Sequence, residues 1–277
     1  MFASFSLRRM PRTVAAVALA TVSTHAMAIF QNGGFEQNSY ANWTVGGGTN
    51  PGLSGSAPFT GASIVINGNT PGPASIIGAG TDPRAPQLVL PRLDQRSAKL
   101  NDEAGGSLVT TLKQTGTLTS ADVDPADSQP HIRFSFAPVL QDPGHSAQDQ
   151  PYFYVALKNL TTNTVVYEKF AYSAQVGVNF LADGLTGWKY LPFENVDVAF
   201  PPSAVGQQIE LTVIAADCSL GAHGGYVYLD GFGSAALPPN GGSTQGPAVP
   251  APALDGKSLG LLALLLGIAG WVVARLR

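Results

Sequence analysis

The sequence predicts an all-β protein, an antiparallel β-sandwich or jelly roll, followed by a single C-terminal transmembrane helix. Three observations predict it. Ile132, Phe134 and Phe136 alternate with His131, Arg133 and Ser135, and Ile209, Leu211 and Val213 alternate likewise, at the period of two that marks a half-buried strand. The 277 residues include 32 glycines and 21 prolines but only 12% charged residues, a balance suited to strands joined by many turns. No stretch before the tail shows an apolar face at a spacing of 3.6 residues.

Taken in order, Arg8, Arg9 and Arg12 precede the apolar stretch from Val14 to Val22, and Ala26-Met27-Ala28 closes it as an A-x-A cleavage site. Residues 1–28 therefore read as a signal peptide, and the mature chain as exported. The β-sandwich domain is expected over 29–236. It opens with Ile29 to Glu36 and the strand candidate Trp43-Thr44-Val45, then crosses a Gly/Pro/Ser-rich stretch from Gly46 to Pro58. Ser63 to Ile66 is a short strand candidate. Gly68 to Pro91, broken by Pro71, Pro73, Pro83, Pro86 and Pro91, reads as a long excursion of the kind that lies on the surface and carries function. Ser107 to Leu112 is the next strand candidate, and an acidic turn follows from Asp122 to Asp127. Beyond the alternating strand at Ile132, Tyr152 to Leu157 and Val165 to Tyr167 form a hairpin around Thr161-Thr162-Asn163, and Tyr226 to Leu229 closes a set of about eight to ten strands.

At Leu237 the composition changes, and residues 237–253 read as a Pro/Gly-rich linker. In the remaining 254–277 the apolar run Ser258 to Ala274 ends in Arg275-Leu276-Arg277. At a rise of ~1.5 Å per residue this run covers about 25 Å, the lower limit for a spanning helix. The arginines place the domain outside by the positive-inside rule.

Composition excludes several functions. A formal charge of −3 leaves no basic stripe for nucleic acid. The single cysteine, Cys218, permits no intramolecular disulfide, multi-thiolate zinc site or CxxC pair; it is a buried apolar residue, a reactive thiol or a partner in an intermolecular disulfide. No serine lies in a G-x-S-x-G elbow. Paired carboxylates such as Asp102/Glu103 and Glu194/Asp197 are too common to indicate glycoside cleavage.

Three resemblances add to this reading. Pro252-Ala253-Leu254-Asp255 followed by Leu259 to Gly267 resembles the IPTL type of bacterial C-terminal sorting signal, and Val249 to Ala253 is similar to the PEP type handled by exosortases, with Ala251 where that motif has Glu. These imply a Gram-negative cell envelope and a processing protease, and say nothing of the domain's activity. Asn32-Gly33-Gly34-Phe35-Glu36, Trp43 and Tyr226-Val227-Tyr228-Leu229-Asp230 resemble the opening and closing strands of galactose-binding-like jelly rolls, the fold of many carbohydrate-binding modules. That resemblance implies that the first and last strands lie together and that Glu36 and Asp230 hold a structural Ca²⁺; the bare alternative is a turn cap and a solvated loop residue. Pro143-Gly144-His145, Gln150-Pro151-Tyr152-Phe153, Asp217-Cys218 and Gly221 to Tyr226 resemble a recurring domain of large bacterial surface proteins, which implies an extracellular β-sandwich without assigning a ligand.

Candidate binding residues follow. His145 and His223 each lie in a Gly-bearing turn, and with Asp217 they form a metal or proton-transfer site or simply hold tight loops. Trp43, Tyr172, Trp188 and Tyr190 are platform candidates for a sugar, or core residues. The expected function is a non-enzymatic, envelope-anchored module that binds an extracellular glycan or surface protein. The alternatives are a structural matrix component and, last, a polysaccharide hydrolase.

Overall fold

A computed structural model describes residues 29–183 and 186–239. The expected signal peptide and transmembrane sorting signal fall outside them, as does the linker beyond Pro239. Among the described residues no helix is long and apolar enough to cross a membrane.

The strands are β1 (Thr44–Thr49), β2 (Ala74–Ile77), β3 (Gly80–Thr81), β4 (Val89–Leu90), β5 (Ser97–Leu100), β6 (Leu108–Thr117), β7 (Val123–Asp124) and β8 (Gln129–Gln141). They continue with β9 (Tyr152–Asn159), β10 (Thr164–Tyr172), β11 (Leu181–Ala182), β12 (Trp188–Tyr190), β13 (Glu194–Ala199), β14 (Gln208–Ala216) and β15 (Gly225–Gly233). One sheet runs β1-β6-β14-β9-β10; the other runs β11-β12-β8-β15-β5-β2, with β13 and β7 also on β8. Every pairing is antiparallel, as the alternating pattern requires. This is the expected all-β sandwich.

Its core is the set of inward residues of both sheets. Leu112, Val155, Leu211 and Val213 of the first meet Phe134, Phe136, Val227 and Leu229 of the second. The N-terminal segment seals one end, with Phe30, Phe35 and Trp43 around Phe232. Phe232 N donates to Gly33 O at 3.1 Å. A Cβ on Gly33 would lie 1.8 Å from Phe232 O, so only glycine permits the first segment to lie on the last strand.

Several segments differ from expectation. Ser63 to Ile66 is not a strand: Thr60 and Ser63 form a capping box that folds Gly61–Ser63 into a 3-10 turn. The excursion 68–91 contributes β2 to the edge of the larger sheet, and its residues 78–91 fold back over that sheet's outer face as a flap. Leu237 to Pro239 lie against the domain, with Pro238 O accepting from Asn195 Nδ2 at 2.6 Å and from Arg92 Nη2 at 2.9 Å.

Candidate functional site

The flap removes two of the expected platforms. Asp82, itself buried, accepts from the hydroxyls of Tyr226 at 2.8 Å and Tyr228 at 2.5 Å, and from the Arg84 and Ala85 amides at 2.7 and 2.5 Å. Leu88 and Leu90 then close over an aromatic floor in which Trp188 is 2% and Tyr190 3% exposed. The Arg84 guanidinium lies 5.5 Å above the Trp188 ring. Trp43 is also covered, at 7% exposure, with Nε1 donating to Asn32 O at 3.1 Å. These three are packing residues, because each indole or phenol finds more apolar area inside than a single sheet face offers.

The outer face of the five-stranded sheet is different. Segment 51–66 covers only one end, placing Leu53 and Phe59 over Val109, Tyr152 and Ile214. At the margin of that cover stand the half-buried Tyr154, Phe170 and Tyr172, the last with Phe59 edge-on at 6.3 Å. Gly61 backs onto the Tyr154 ring so closely that a Cβ there would be 2.3 Å from Cε2. Tyr154 donates its hydroxyl to Glu168 Oε2 at 3.3 Å across the β9/β10 pair. Burial and the Glu168 charge push that phenol up to about 12, so it stays protonated. Beyond it the face is open, with Glu168, Lys113 and Thr115 exposed and Lys158, Glu210 and Thr212 half-exposed. Tyr154 was missed in the sequence, although its alternation with the core residue Phe153 could have placed it on the outer face.

Glu36 and Asp230 converge on one turn between β4 and β5. Glu36 Oε1 accepts from the amides of Gln95 at 3.0 Å and Arg96 at 2.9 Å. Asp230 Oδ2 accepts from Leu93 N at 2.9 Å and Ser97 Oγ at 2.7 Å. Asp230 is fully buried, its pKa is pushed up to about 7 by that burial, and its Oδ1 has no hydrogen-bond partner. A buried carboxylate oxygen without a donor suits a hard cation, which takes oxygen ligands and no hydrogen.

Asp217 stands apart from the imidazoles it was grouped with. It is fully buried at the end of β14 and accepts from Asn101 Nδ2 at 2.9 Å, Leu108 N at 3.0 Å and Gly225 N at 3.2 Å. Burial pushes its pKa up to about 7. Its work is to tie three chain segments together at one end of the sandwich. His145 and His223 do meet, with ring centroids 5.0 Å apart, and the third residue beside them is Cys218.

Three of the four carboxylates considered for hydrolysis are held in ion pairs. Glu103 pairs with Lys99 at 2.6 Å, Glu194 with Lys169, and Asp197 with Arg133 at 2.7 Å.

No protein-family profile and no curated protein matches the sequence. Among solved structures, carbohydrate-binding module 27-1 of Caldicellulosiruptor saccharolyticus, in complex with mannohexaose, is 13% identical, covering 58% of this chain and 80% of that one at a TM-score of 0.32. The K2 cleaved adhesin domain of Lys-gingipain is 11% identical over 72% of this chain and 93% of that one, at 0.33. A non-crystalline cellulose-specific module, CBM28, is 11% identical over 72% and 90%, at 0.32. Likenesses of this size carry no residue or ligand across to the chain.

Proposed function

We propose that this chain is an exported, non-enzymatic module that binds a glycan across the outer face of its five-stranded sheet and is stabilised by Ca²⁺ at Asp230 and Glu36. One observation carries the glycan reading: this face is left half uncovered beside Tyr154, Phe170 and Glu168, whereas the flap seals the other sheet. Sugar rings offer C–H faces to an aromatic ring and hydroxyls to carboxylates and amines, and both kinds of partner stand together here. The order of the face matters as much as its composition. Tyr154 is backed by Gly61 and tied to Glu168, so little rotamer freedom is lost on binding. The Ca²⁺ reading is supported by the unpartnered Asp230 Oδ1 and by the turn that both carboxylates share.

The test is binding of the full-length protein to a panel of soluble polysaccharides, by affinity electrophoresis and calorimetry. Tyr154→Ala is expected to weaken binding by about tenfold, the worth of roughly 1.4 kcal/mol of aromatic contact. Trp188→Phe, buried under the flap, is expected to leave it unchanged. Should no polysaccharide bind, and the protein instead self-associate in sedimentation, the matrix reading replaces this one.

A further inference from the structure

The corner that joins β8 to β9 and β14 to β15 brings together three side chains that the glycan and calcium readings do not use. His145, Cys218 and His223 each offer one ligand atom, and these atoms lie within 4.8 Å of one another. We propose that they form a binding site for one divalent d-block cation of the zinc class, with solvent as the fourth ligand.

The donor set decides the class of ion. Two imidazole nitrogens and a sulfur suit zinc and its neighbours, whereas calcium and magnesium take oxygen. The spacing agrees with it. Zinc bonds of about 2.3 Å to sulfur and about 2.05 Å to nitrogen, at a tetrahedral angle, put the two donors about 3.6 Å apart. Cys218 Sγ and His223 Nδ1 are 3.6 Å apart. A thiol hydrogen bond would explain that distance alone. It would not explain His145, whose Nδ1 is buried without a hydrogen-bond partner, 5.0 Å from His223 between ring centroids. Buried polar atoms ordinarily find partners, so an imidazole nitrogen left without one on a ring packed against His223 points to an absent acceptor of its lone pair.

The scaffold holds the ligands without their own side chains. Cys218 N donates to His223 O at 3.0 Å and Gly221 N to Cys218 O at 3.3 Å, which closes a tight turn. Facing it, His145 O accepts from Gln150 Nε2 at 3.0 Å, and Ser219 Oγ donates to Asp149 Oδ1 at 2.6 Å to lock the two loops together. Cys218 is fully buried, and on metal binding its thiol proton passes to water. In a chain with one cysteine, such an ion would join the two loops as a disulfide could not.

Full-length protein, stripped with chelator, is titrated with Zn²⁺ against a chromophoric competitor, and separately with Co²⁺. The expected result is one equivalent of Zn²⁺, and a Co²⁺ complex with a thiolate charge-transfer band in the near ultraviolet and intense tetrahedral d–d bands. Cys218→Ser should abolish the charge-transfer band. His145→Gln and His223→Gln, at half-buried positions, should each weaken Zn²⁺ by at least the ~10- to 100-fold seen when an outer partner is lost. They keep the test decisive if the serine variant fails to fold. Asp230→Asn should leave zinc binding intact, which separates this site from the calcium site. Zinc affinity unchanged in His145→Gln and His223→Gln, or a Co²⁺ spectrum lacking the thiolate band, would overturn the proposal.

Discussion

His131 shows how far one residue's role depends on neighbours distant in sequence. It is the third residue of β8, with Nδ1 2.5 Å from Asp197 Oδ1 and Nε2 2.9 Å from Asp127 Oδ2, while Arg133 joins the same network through Asp197 and Asp124, each at 2.7 Å. Burial alone would depress the His131 pKa, but the hydrogen bonds to Asp197 and Asp127 outweigh it and the net shift is upward. The partners shift the other way. Asp127 is held down chiefly by His131, and Asp197, against its own burial, by His131 and Arg133. A raised histidine stabilises the fold below its unfolded pKa and loses that contribution as pH rises through the folded value. Lowered carboxylates contribute above their unfolded pKa and lose it as pH falls. Stability from this network is therefore expected to peak between the ordinary carboxylate and imidazole values, and to decline as pH climbs past about 6.5. Asp217 and Asp230, raised to about 7, lower stability up to that pH in either protein, so urea unfolding across pH 4 to 9 should show a further decline above about 7 in the wild type that is absent in His131→Gln. An identical decline in both would remove His131 as its cause.

At the scale of elements, the flap and the strands beneath it behave as one unit because of Asp82. Tyr226 and Tyr228 share a face of β15, two residues apart, and both hydroxyls reach the same carboxylate 144 and 146 residues away in sequence. Lys99 completes the cover, its ammonium 3.9 Å above the Tyr226 ring. Asp82→Ala would leave two buried hydroxyls without an acceptor, at about 1–3 kcal/mol each. The expected outcome is a loss of about 3 kcal/mol in denaturant unfolding, or local opening of 78–91 seen as faster amide exchange and proteolysis there. Wild-type exchange and stability in this variant would show that Leu88 and Leu90 alone hold the flap. The alternation of Tyr226 and Tyr228 was legible in the sequence, but their partner was not, because a proline-broken excursion gives no periodicity from which to place Asp82.

For the whole molecule, the two sheets and the N-terminal segment close around one core without a covalent cross-link, since Cys218 is the single cysteine. Reducing agent should then leave the melting temperature of the full-length protein unchanged. Chelation of Ca²⁺ should lower it by several degrees if the ion ties Glu36 to Asp230, as about 1–2 kcal/mol would. Asp230→Asn should melt at the same temperature with and without Ca²⁺. A wild type indifferent to Ca²⁺ would sink the calcium site while leaving the glycan face to be tested on its own.

The sequence by itself determined the all-β class and the strongest strands, and the resemblance carried by Asn32 to Glu36 implied that the two ends of the domain meet. These depend on local alternation and on motifs such as Asn32 to Glu36, whose Gly33 makes its contact with backbone alone. Tertiary structure decided which aromatics are covered. Trp43, Trp188 and Tyr190 carry no mark in sequence that separates a platform from a packed ring, because burial depends on what lies across the sheet. It also regrouped the titratable residues, sending Asp217 to hold backbone and bringing Cys218 between His145 and His223. Spacing along a chain of turns does not fix distance in space, so only the packing of two loops at one corner of the sandwich could put those three ligand atoms together.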